Sequence, residues 1–141
     1  MQINAWLAVA GAMSAAAAVA HLAVIAGGPA WYRFFGASDR LVRAAERGSL
    51  GAPLSTLAIA AVLGLWAAYA FSGAGLIPRL PLLRLALTAI TAVYLVRALW
   101  LLPGLPLLGR SKTFVLLSSL IVLVVGLTHA IGLWSAWRSL P

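Results

Sequence analysis

Three ionisable side chains, His21, Arg97 and His129, interrupt long apolar runs of this chain, and any chemistry within a membrane would have to pass through them. An ionisable group in hydrocarbon costs about 3 kcal/mol on insertion scales, so such residues are functional candidates by default. An imidazole can carry a proton, ligate a metal or accept a hydrogen bond, and a guanidinium can hold an anion or a carbonyl. The two acids, Asp39 and Glu46, lie outside the apolar runs, and cysteine is absent. Disulfides, thiolate metal sites and cysteine nucleophiles are thereby excluded, and a cation-coupled carrier would have only the histidines as exchange groups. No residue stands out as catalytic.

Depth decides which of these groups can cooperate. At about 1.5 Å per helical residue, counted from the face where the first run begins, His21 lies roughly 24 Å down, Arg97 roughly 20 Å and His129 roughly 12 Å. An offset of about 12 Å keeps the two histidines off one haem iron or zinc, which each must approach to about 2 Å, so no metal site or haem is expected. His21 and Arg97 share a level, and with Tyr94, one turn before Arg97, they could form an inner pocket for a lipid head or a quinone. Arg97 could instead snorkel to the nearer headgroups. His129 falls level with Ser14, Tyr69, Thr88 and Thr91, which could make an outer pocket. His21 shares a helical face with Ser14, Ala17 and Ala18, and His129 shares one with Gly126, Val122 and Ser118. Both therefore also suit helix-to-helix hydrogen bonding. Thr88, Thr91, Tyr94 and Arg97 step back by about 60° at every third residue, so they cannot line one pore, and the threonines are expected to bond their own backbone.

The elements that must position these groups are membrane helices. From Phe114 through Leu127 the chain reads FVLLSSLIVLVVGL without a charge. With 64 % hydrophobic and 9 % charged residues in 141, the balance is far from that of a soluble domain. The pattern predicts an all-α membrane protein of one domain, residues 1–141. It is a four-transmembrane-helix antiparallel bundle with spans at about 5–25, 53–71, 82–102 and 113–137. Span one, although Ala-rich like a signal peptide, has no basic start and is taken as retained; it should end at Gly27, Gly28 and Pro29. Its i+4 row Ala8, Ala12, Ala16 and Ala20, with Gly11, Ala15 and Ala18 beside it, should admit a close neighbour. Between spans one and two, Ser38 or Asp39 can cap a short interfacial helix, DRLVRAAER. Trp31, Tyr32, Arg33, Phe34 and Phe35 suit the headgroup layer as an interfacial anchor.

The net charge of +8 comes almost entirely from arginines in the gaps between apolar runs, where it signals topology rather than nucleic-acid binding. Arg33, Arg40, Arg43, Arg47, Arg110 and Lys112 lie on one side, against Arg79, Arg84 and Arg138 on the other. The positive-inside rule puts the six in the cytoplasm and both termini outside it.

A His late in span one, then GGPAWYRFFGA, WAAYAFSGAG, LPLLRLAL and YLVR, resembles the DoxX-like small four-span proteins of bacterial inner membranes. That resemblance covers most of the chain in topology and implies an association with quinone-linked redox complexes. The leading functional expectation is a small binding or accessory subunit, holding an apolar or lipid-like ligand or packing against a larger membrane complex. A quinone-associated redox subunit and a small dimeric permease are the alternatives. Membrane lipids and either a homo-oligomer or a larger membrane complex are the expected partners.

Overall fold

The computed structural model describes residues 3–99 and 112–140. Five helices follow one another: α1 (Ala5–Phe34), α2 (Asp39–Glu46), α3 (Gly51–Ala74), α4 (Leu83–Ala98) and α5 (Lys112–Ala136). Among the described residues α1, α3 and α5 are long and apolar enough to cross a membrane. α4 has 16 residues, about 24 Å of helix, which is less than the hydrocarbon core of about 30 Å. The end expected for it at residue 102, the LPGLPLLGR segment and Arg110 lie outside the described residues.

The Gly-Gly-Pro break works differently from its expected role as a terminus. Gly28 takes φ 64° and ψ −156°, a combination open to glycine, and helix resumes at once through Phe34. Pro29 needs no intrahelical N–H partner and is suited to start the resumed turns, so the break redirects α1 instead of ending it. α2 is the short helix expected after the first span. Its Val42 is buried with Val24 and Tyr32 of α1 and Ala52 of α3, closing the far end of the structure. α3 runs past its expected end at Phe71 to Ala74. There Gly75 turns left-handed at φ 81° and the Leu76 N–H returns to the Phe71 carbonyl at 3.0 Å.

Contacts at the two ends set the helix directions. Asn4, before α1, meets Ala74 at the end of α3 and Ser135 near the end of α5, and Leu83, opening α4, packs beside them. At the other end Tyr32 of α1 meets Thr56 of α3, and Arg97 of α4 meets Ser119 of α5. The four long helices therefore alternate in direction, and α1 starts where α5 finishes. A core of Leu7, Ala70, Leu83, Leu87 and Leu133 fills that end, while Ala18, Leu63, Ile90, Tyr94 and Val125 fill the middle.

Small residues let the helices close up, though not along the expected row. Ala12 and Ala16 are exposed, and the packed stripe of α1 is Leu7, Gly11, Ser14 and Ala18. A Cβ on Gly11 would fall 2.7 Å from the Phe71 ring, and one on Gly132 would fall 2.9 Å from the backbone nitrogen of Leu7. The outer surface is aliphatic: Leu54, Leu57, Ile59, Val62 and Leu65 of α3 are all exposed. So broad an apolar surface is incompatible with water, and with three helices long and apolar enough to span a bilayer it marks a membrane protein.

Gly132→Ala must push α1 and α5 apart and should lower stability by about 1–3 kcal/mol, as overpacking does. Gly64, with open space around it, is the control: Gly64→Ala should be neutral or gain up to about 1 kcal/mol of helix propensity. Thermal unfolding of both variants in one detergent checks the pair.

Candidate functional site

Tyr94 and Ser14 meet in the middle of the bundle. Their hydroxyls share a buried hydrogen bond of 2.9 Å between α4 and α1. The Tyr94 ring lies 5.0 Å from the His129 ring, tilted by 35°, and meets the Trp66 ring edge-to-face at 5.0 Å. His129 is fully buried, as its face with Gly126 implied. Its Nδ1 lies 2.9 Å from the Val125 carbonyl, which can only accept, so Nδ1 carries the proton and Nε2 presents a lone pair. That Nε2 is buried without a hydrogen-bond partner among the described residues. The arrangement is a rigid aromatic and hydroxyl layer joining α1, α3, α4 and α5.

This layer unites Ser14 and His129 of the outer set, but it takes Tyr94 from the inner one. Tyr94 and Arg97, three residues apart, diverge: Arg97 donates to Ser119 Oγ at 3.0 Å and to Ser118 Oγ at 3.3 Å, both on α5. His21, half-buried, places Nδ1 2.7 Å from the Ala17 carbonyl of its own helix. The inner pocket is therefore not built around Tyr94 as expected, because a 60° difference in direction sends the two α4 side chains to different neighbours. Tyr69 packs half-buried against the two larger cores. Thr88 and Thr91 bond the carbonyls of Arg84 and Leu87, at 2.8 and 2.7 Å.

Of the anchor residues, Trp31, Phe34 and Phe35 are exposed, and Arg33 pairs with Glu46 of α2. Tyr32 departs from the expected role. It is buried, and its hydroxyl bonds Thr56 at 3.0 Å, which ties α1 to α3 from inside. Among the described residues no three of His, Asp or Glu gather as a metal site would require.

An open concave site lies elsewhere, where α1 starts and α5 finishes. A cleft of about 480 Å³ is bounded there by Asn4 and Trp6 of the α1 entry, Ser72 of α3, Arg79 of the following loop, and Ser135 and Ser139 of the α5 exit. Asn4 holds its floor. Its Oδ1 caps α1 by accepting from the Leu7 N–H at 3.0 Å, and its Nδ2 donates to the Gly132 carbonyl at 3.1 Å and to Ser135 Oγ at 2.9 Å. The Asn4 N–H donates to the Ala74 carbonyl at 3.1 Å. Beside the cleft, Arg84 lies over the Trp137 ring at 5.1 Å and donates to the Leu140 carbonyl, a pairing suited to the headgroup layer. Intramembrane charge did not point to this site. An asparagine directly before an apolar helix is a cap signal that would have found Asn4, though not its bonds to α3 and α5.

Fold and sites together define a helical membrane protein with a buried polar layer and an amphiphilic cleft at one end. Comparison with known protein families, with curated proteins and with solved structures finds no match for this chain.

The Ser14–Tyr94 bond should be worth about 0.6 kcal/mol, with about 1.7 as a ceiling, as for other hydrogen bonds between membrane helices. A double-mutant cycle of Ser14→Ala and Tyr94→Phe, read by unfolding in mixed micelles, measures it directly. Coupling near zero would mean the two hydroxyls act independently.

Proposed function

We propose that this protein is a small non-enzymatic binding subunit of a bacterial inner membrane, and that it holds a lipid-like ligand. In this reading α4 is span three of a four-span antiparallel bundle, and the cleft end of that bundle lies outside the cytoplasm. The orientation rests on charge. Arg33, Arg40, Arg43, Arg47 and Lys112 gather at the end opposite the cleft, whose own end has Arg79, Arg84 and Arg138.

The observation that carries the reading is the cleft. It combines an apolar rim, including Trp6 and Ile77, with the polar groups of Asn4, Ser72, Arg79, Ser135 and Ser139. A wholly apolar ligand would cover the Arg79 guanidinium and the spare lone pairs of the serines without matching them, and a free polar solute would waste the apolar rim, so an amphiphile suits both. The buried Ser14–Tyr94–His129 layer then has a structural part, fixing the helices that frame the cleft.

Ala5 is exposed and lines the cleft, so a bulky side chain there should occupy it. Protein reconstituted from equimolar phosphatidylethanolamine, phosphatidylglycerol and phosphatidylcholine vesicles should retain a lipid adduct in native mass spectrometry. Ala5→Trp should lose that adduct with its thermal unfolding unchanged. Equal retention by both proteins would contradict binding at the cleft.

A further inference from the structure

The hydroxyls of the cleft wall have already spent their protons. Ser72 Oγ donates to the Pro78 carbonyl at 3.0 Å and accepts from the Leu80 N–H at 2.9 Å. Ser135 Oγ donates to the Gly132 carbonyl at 2.9 Å while accepting from Asn4, and Ser139 Oγ donates to the Ala136 carbonyl at 2.8 Å. Both amide hydrogens of Asn4 are committed to α5. What these four side chains still offer is lone pairs. This wall therefore accepts hydrogen bonds and suits an N–H donor.

Arg79 is the opposite kind of group on the same cleft. No ion pair or side-chain hydrogen bond with another described residue engages its guanidinium, which suits a phosphate. A cleft with an acceptor wall and a guanidinium at its edge suits a molecule that bears both an N–H cation and an anion. Trp6 and Val9, exposed on the outside of α1 just below, offer a path for acyl chains into the bilayer.

We infer that the cleft selects an aminophospholipid, with the primary ammonium of an ethanolamine-type headgroup on the Ser72, Ser135 and Ser139 wall and the phosphate at Arg79. This rests on the lipid-binding reading above and adds the headgroup to it. A choline headgroup has the charge but no N–H to donate, and a glycerol headgroup has no cation.

The test is lipid competition on the full chain. Delipidated protein is reconstituted with equimolar phosphatidylethanolamine, phosphatidylcholine and phosphatidylglycerol, and retained lipids are read by native mass spectrometry. Phosphatidylethanolamine should be enriched about tenfold over each of the others, the scale of one charge-assisted hydrogen bond. Arg79→Gln should reduce its retention several-fold. Ser139 is exposed, so Ser139→Lys is tolerable to the fold; by placing a cation on the acceptor wall it should turn the preference toward phosphatidylglycerol. Preference for phosphatidylcholine or phosphatidylglycerol in the unaltered protein, still lost in Ala5→Trp, would overturn the headgroup assignment while sparing lipid binding. Loss of both the preference and the effect of Ala5→Trp would remove the lipid reading itself. A stable adduct with glycerophosphoethanolamine in lipid-free detergent would show that the occupant is a water-soluble headgroup and not a lipid.

Discussion

Asn4 joins three helix ends, and the organisation of one whole end of the bundle follows from it. Helix termini leave N–H and C=O groups without intrahelical partners, and near a bilayer there is little water to take them. Asn4 spends its side-chain oxygen on the first turn of α1, its amide on the last turns of α5, and its backbone N–H on the last carbonyl of α3. Through one uncharged residue, one backbone group at each of three helix ends finds its partner within the protein. Gly132 makes this geometrically available, since any side chain there would run into Leu7 and hold α1 away from α5.

Satisfying those groups internally also decides what is left over. Once the serine hydroxyls and the Asn4 amide point into the protein, these side chains offer the cleft acceptors, and Arg79 stands apart on the loop. The far end is closed by other means. There the break at Gly28 redirects α1, Tyr32 bonds Thr56, and α2 packs Val42 across the gap with its arginines kept at the surface. One end is thus concave and rich in acceptors, and the other is capped and basic. Between them the Ser14–Tyr94 bond and the buried ring of His129 keep the helices in register.

Much of this architecture was legible in the residue pattern, because an apolar run of bilayer length has few alternatives. α5 begins one residue before its expected start and ends one before its expected end, and the short helix at Asp39–Glu46 stands between α1 and α3. Faces were harder to read. Alanine is equally at home against lipid or against a helix, so the row from Ala8 to Ala20 gave no sign of which way it turns. The partner's bulk decides that, through Phe71 against Gly11 and Leu7 against Gly132. Depth alone likewise grouped Tyr94 with Arg97 and His21, whereas rotation about α4 sends Tyr94 across to Ser14 and Arg97 to Ser119. Asn4 carries no charge and sits at the edge of a span, so an argument built on intramembrane ionisable groups passes over it.

The most direct test of the three-way tie is hydrogen exchange on Asn4→Ser in lipid nanodiscs. Serine caps a helix about as well as asparagine but has no amide to reach α5. Loss of protection should therefore appear in the last turns of α5, more than a hundred residues away in sequence, and leave the first turn of α1 nearly as it was. Faster exchange confined to the first turn of α1, with the end of α5 unchanged, would contradict Asn4 as the residue that holds this end together.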